Sequence, residues 1–131
     1  MKKGYITHIE EETKNNNDYR RVVYTAAHCQ LVLMSIAAGS EIGMEVHQNV
    51  DQFFRFELGQ GKVIIDDVEH DIKDGDAVIV PAGSQHNVIN TGTSELKLYT
   101  LYSPPNHIDG TTQATKADEQ EEHFDGIATE T

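Results

Sequence analysis

The stretch from Gly39 to Gly59, GSEIGMEVHQNVDQFFRFELG, decides how this chain is read. Glu45 and His47 flank a single residue, Gln52 follows after four more, and a glycine stands at each end. Residues two apart on a strand share a face, so Glu45 and His47 point one way while Met44 and Val46 point the other. Gln52, Phe54 and Phe56 form a second such set, opposed by Phe53 and Arg55. A later stretch, Gly75 to Asn90 (GDAVIVPAGSQHNVIN), groups His86, Val88 and Asn90 in the same way. Three strands lining one barrel would bring together two imidazoles, one carboxylate and one carboxamide. That donor set suits a divalent transition metal, because imidazole favours Zn, Cu, Ni and Fe(II) and the carboxylate balances part of the charge. Periodicity by itself leaves ordinary strand histidines open as the alternative.

Outward from these stretches, the middle of the chain breaks into short β-branched or aromatic runs separated by turn residues, the spacing of an all-β sandwich or barrel. Eight to nine strands are expected: 21–25, 28–36, 43–48, 52–58, 62–65, 69–72, 76–80, 85–90 and 96–102. Gly59-Gln60-Gly61, lying between apolar runs, reads as a hairpin turn and not as a phosphate loop. Asp66-Asp67 reads as a second hairpin turn. No 3.6-residue periodicity persists, so helices are minor, with one short helix conceivable over residues 114–124.

The two quoted stretches carry the spacing of the two cupin motifs, and residues 22–102 resemble short stand-alone bacterial cupins of the mannose-6-phosphate isomerase-like kind. Ser103 to Thr111 is also similar to theirs. The resemblance implies an all-β fold, a single-domain double-stranded β-helix (the cupin jelly-roll barrel). It further implies frequent homodimers and a metal held by two His and a Glu from the first motif with a His from the second. This chain departs from that set twice, with Glu45 where the first His is usual and Gln52 where Glu is usual. The expected metal ligands are therefore Glu45, His47, Gln52 and His86, holding one divalent ion drawn from Fe, Mn, Ni or Zn. The set is also similar to the two-His-one-carboxylate triad of non-haem Fe(II) enzymes, which keeps positions open for substrate. The implied activity is a metal-dependent enzyme on a small molecule, of dioxygenase, isomerase or decarboxylase class. The alternative is a non-catalytic module that binds a metabolite or the metal itself. A sugar phosphate would need Arg or Lys in the pocket, and none of the ten basic residues is placed on the ligand face. Arg55 has the opposite parity.

With 131 residues the chain is long enough for one modest core. The expected organisation is a polar arm over residues 1–20, the barrel over 21–105 and an acidic tail over 106–131. A net charge of -12 repels phosphate backbones and anionic lipid, so nucleic acid and membrane are not expected partners and a small molecule is. The run Gln30 to Ile36 is too short to span a bilayer. Glu10, Glu11 and Glu12 stand where a signal peptide would need an apolar stretch, which points to the cytoplasm. The tail's acidic residues, Asp109, Asp118, Glu119, Glu121, Glu122, Asp125 and Glu130, read as a solvated segment. Cys29, the single cysteine, reads as a small buried hydrophobe. His28 is left between facing the cavity and packing, and His8, His70, His107 and His123 read as exposed. Phe53 and Arg55 would suit a dimer interface, and Tyr102 is a conceivable proton donor if its hydroxyl faces the metal.

Overall fold

The structure is a computed structural model that describes every residue except Glu121 and Thr131. In chain order it contains α1 (Ile9–Asn15), β1 (Arg20–Thr25), β2 (Gln30–Ile36), β3 (Glu45–Val46), β4 (Asp51–Leu58) and β5 (Gln60–Ile65). Then come β6 (Val68–Lys73), β7 (Ala77–Val80), β8 (Gln85–Asn90), β9 (Leu96–Ser103), β10 (Thr112–Gln113) and one 3₁₀ turn, Lys116–Asp118. Two sheets form, in the orders β10-β1-β2-β9-β4-β7 and β3-β8-β5-β6. Every pairing is antiparallel. The alternation read from the sequence sets the core: Val32, Met34 and Ile36 of β2, Phe54 and Phe56 of β4, Leu98 and Tyr102 of β9, Val63 of β5 and Val88 of β8 are buried in one cluster. Full burial of each such side chain is worth about 1.5–3 kcal/mol, so the apolar contact between the two inner faces holds the barrel together.

Gly59-Gln60-Gly61 is a corner and not a hairpin: β4 and β5 lie in different sheets. The backbone approaches too closely there for side chains. A Cβ at Gly59, whose φ is +98°, would lie 2.8 Å from the Glu95 carbonyl oxygen, and one at Gly61 would lie 2.3 Å from that of Ile89. Asp66-Asp67 does close a hairpin, β5 pairing with β6 from Ile65↔Val68 onward. Both turn residues have positive φ, 46° and 69°, the type I′ geometry that matches strand twist. Left-handed backbone is costly for a residue with a Cβ, and Asp66 is tied by accepting a bond from the Gln85 amide at 2.9 Å. Asp67→Gly is therefore expected to raise stability by up to about 1 kcal/mol, read as a rise of a few degrees in the melting midpoint.

Both ends of the chain pack on the barrel. α1 lies against β9 and β4, where Lys97, of outward parity, donates from Nζ to the Lys14 carbonyl and to Asn17 Oδ1, both at 2.9 Å. The acidic tail keeps Asp118, Glu119, Glu122 and Asp125 exposed, as expected of a solvated segment, yet it is also tied to the barrel at single points. β10 pairs with β1, Arg20 meets Glu119 at 2.8 Å, and Glu130 accepts bonds from the backbone N–H groups of Lys3 and Gly4 and from the Tyr24 hydroxyl. A helix over 114–124 is replaced by the single 3₁₀ turn, with residue 121 outside the described set. Cys29 is exposed, at the β1–β2 turn where its carbonyl accepts the Ala26 N–H, and His28 beside it is exposed too, neither facing the cavity nor packing. Among the described residues, no helix is long and apolar enough to cross a membrane.

Candidate metal centre

β3 is only two residues long, shorter than the run 43–48 read from the sequence, because Gly43 turns into it with φ +108° and the chain turns again after His47. Those two residues suffice to set the site. Glu45 is the direct cross-strand partner of His86 on β8, which places their side chains on one face. The Gly43 N–H bonds to Asn87 Oδ1 at 2.9 Å and the His47 carbonyl accepts the Gly83 N–H at 2.8 Å, pinning the segment at both ends. Ligand atoms of Glu45, His47 and His86 then all lie within 4.8 Å of one another and could hold a metal ion.

His86 is buried, and its Nδ1 faces the Ser84 carbonyl at 3.2 Å. With the Nδ1 proton donated there, Nε2 presents its lone pair; it is buried, has no hydrogen-bond partner and sits 4.0 Å from Glu45 Oε2. Burial pushes the His86 pKa below the usual imidazole value, and the nearby His47 adds to this against the Ser84 carbonyl and Glu45, so the ring is neutral at neutral pH. His47 Nε2 lies 3.1 Å from the same Glu45 oxygen. Burial alone would push the Glu45 carboxyl up, but the hydrogen bond and charge of His47, with Arg20 and His86 behind them, hold it below the ordinary carboxylate range. The carboxylate is thus ionised and the His86 imidazole neutral, the protonation states that metal ligation requires.

Gln52 comes from the other sheet. It is buried on β4 opposite Val80 and Tyr102, and its Nε2 donates to Thr100 Oγ1 at 3.0 Å. That bond fixes the amide, leaving Oε1 buried without a partner. An unpaired buried acceptor costs about 1–3 kcal/mol, and here two of them, Gln52 Oε1 and His86 Nε2, belong to the four residues read as ligands. A cation held with Glu45 and His47 would satisfy His86 Nε2. Asn90, grouped with His86 by parity, instead knits the barrel by donating to the carbonyls of Ile36 and Ser94.

The residues around the centre were less legible. His107, read as exposed, is half-buried with Nε2 3.2 Å from the Tyr102 hydroxyl, and Gln30 grips its backbone through both N–H and C=O. Burial lowers its pKa to about 3, so it is a neutral polar wall. Tyr102 packs edge-on against His47, ring centres 5.8 Å apart, and its hydroxyl is turned to His107. Arg20 lines the same cavity of about 480 Å³ as Glu45, His47 and His107, which overturns the expectation that no basic residue reaches the ligand face. The signal was present in the sequence: Arg20 stands two before the inward Val22 and so shares its parity.

Fold and donor set together define a small antiparallel barrel with a cluster of metal-type ligands at one mouth. The chain belongs to the cupin family: the Cupin domain family model matches residues 32–102. It is 46% identical over 122 residues to the uncharacterized protein YrkC of Bacillus subtilis, covering 88% of this chain and 66% of that protein, so the chain spans just under two thirds of that relative's length. The crystal structure of BH2720 from Bacillus halodurans superposes with a TM-score of 0.86 at 43% identity, over 87% of this chain and 91% of that one. A predicted oxalate decarboxylase from Thermotoga maritima superposes with a TM-score of 0.56 at 24% identity, over 57% and 65% of the two chains, a likeness of fold alone.

Proposed function

We propose that the protein is a metal-dependent enzyme on a small molecule, with one divalent ion held by Glu45, His47 and His86 and approached by the Gln52 carboxamide. The observation that carries this reading is the convergence of three ligand atoms within 4.8 Å beside a buried, unpaired His86 Nε2. A divalent ion in such a site supplies Lewis acidity toward a chelated substrate. The chain's own residues fix that substrate's surroundings: the cavity of about 480 Å³ admits a metabolite-sized molecule, and His107, backed by the buried Tyr102, forms a neutral part of its wall.

A second reading, a metal-dependent binding module without turnover, is favoured by one feature. Gln52 cannot accept a proton, and a Glu45 engaged as a ligand is a poor general base. Elemental analysis is expected to find about one divalent ion per chain, as for a mononuclear site. The double variant His47→Ala with His86→Ala is expected to lose it. No metal in the wild type after incubation with Fe, Mn, Ni, Zn and Co would defeat both readings. Turnover of a compound that raises the melting midpoint would separate enzyme from module.

A further inference from the structure

Arg20 is a guanidinium with only 3% of its side chain exposed, set in the wall of the cavity that holds Glu45 and His47. It lies over the Tyr19 ring, 5.2 Å from the centroid. Its Nη1 donates to Gln113 Oε1 at 2.9 Å and to Glu119 Oε2 at 2.8 Å, while its Nε is buried with no partner. Glu119 is the exposed member of the pair, its side chain 31% accessible, and it lines the same cavity. The tail delivers it there: Thr115 and Asp118 form a reciprocal capping box around the 3₁₀ turn, Lys116 Nζ donates to the Glu41 carbonyl at 2.6 Å, and Glu119 follows directly.

A buried guanidinium with a spare N–H is costly unless an anion completes it, and a planar fork of donors matches a carboxylate. We propose that Arg20 anchors the carboxylate of a small organic acid, and that Glu119 occupies this position until the ligand's carboxylate displaces it. The inference rests on the reading above that this cavity is the ligand site, and it deepens that reading by naming the substrate class. A carboxylate is favoured over a phosphate because the resident partner is itself a carboxylate. Among the described lining residues, moreover, Arg20 is the one Lys or Arg, beside the carboxylates of Glu45, Glu119 and Glu122, so the wall offers a single guanidinium fork matched to one carboxylate.

The test is calorimetric titration of the Zn(II)-loaded full chain with lactate, pyruvate and malonate, against propane-1,2-diol as lactate's neutral counterpart and mannose 6-phosphate as the phosphate arm. At least one carboxylate is expected to bind about tenfold or more tightly than the diol, the worth of a hydrogen-bonded charge. Glu119→Gln is expected to tighten that acid by roughly two- to fivefold by weakening the resident competitor. Arg20→Gln should lose about tenfold or more with zinc content unchanged. Should Arg20→Gln fail to fold, Glu119→Gln decides alone. Carboxylate affinity indifferent to Glu119→Gln, absence of binding by all three acids, or tighter binding of the sugar phosphate would overturn the proposal. Loss of zinc from the wild type would count against the metal reading only, since the same titrations on metal-free protein still report the dependence on Arg20 and Glu119.

Discussion

Phe54→Ala is expected to cost about 3–5 kcal/mol of folding stability, the range for emptying a fully buried aromatic site. Phe54 is 0% exposed, lies parallel to Phe56 with ring centres 6.2 Å apart, and meets the His86 ring nearly edge-on at the same distance. Two inner faces of a sandwich cannot collapse into the gap without breaking the antiparallel ladders that space them, so the cavity persists. Total stabilities of small domains are about 5–15 kcal/mol, which makes this a loss of a large fraction of the whole. The check is a urea transition, with the midpoint moving down and the slope unchanged. The same substitution at Phe53, which has outward parity and is only half-buried, should cost much less. Equal losses at the two positions would refute the assignment of inner and outer faces. Because Phe54 also supports the His86 ring, the variant should retain less metal after dialysis than wild type at equal concentrations of folded protein.

That contrast between Phe53 and Phe54 is the part of the fold most legible in the sequence, because a strand's period of two converts directly into faces. Parity put Glu45 with His47 and Gln52 with Phe54, and the register Glu45↔His86 bears out the shared face of the first motif and the second. What parity lacks is the third dimension. It gives no means of telling a hairpin from a corner, and Gly59-Gln60-Gly61 turned out to carry the chain between sheets. Helix α1 was missed because of its seven residues only Thr13 is buried, so no apolar stripe existed to read. The tail's docking contacts went unread for a related reason. Net charge describes a segment's average, whereas docking depends on single pairings such as Arg20 with Glu119 and Tyr24 with Glu130, whose partners lie about a hundred residues away. His107 shows the same limit, being drawn inward by two backbone bonds to Gln30, itself a fully buried glutamine.

Gln52→Glu is expected to act in opposite directions with and without metal. In the metal-free protein it places a buried carboxyl where the amide now donates to Thr100, inside the barrel whose other sheet carries the ionised Glu45. Burial and a like charge both raise a carboxyl's pKa. A raised folded-state pKa destabilises above the unfolded value, so the cost should be absent below about pH 4 and grow as pH rises past it, reaching several kcal/mol for an unpaired buried charge. With a divalent ion bound, the same charge becomes an anionic ligand in place of a neutral, weakly donating amide, and affinity should rise by tenfold or more, about 1.4 kcal/mol per decade. The signature is therefore a low melting midpoint in chelator that climbs further on addition of Zn(II) or Mn(II) than the wild type's does. A variant destabilised equally with and without metal would show that position 52 stands outside the coordination sphere. The centre would then rest on Glu45, His47 and His86 alone, and the unpaired Gln52 oxygen would face the ligand rather than the ion.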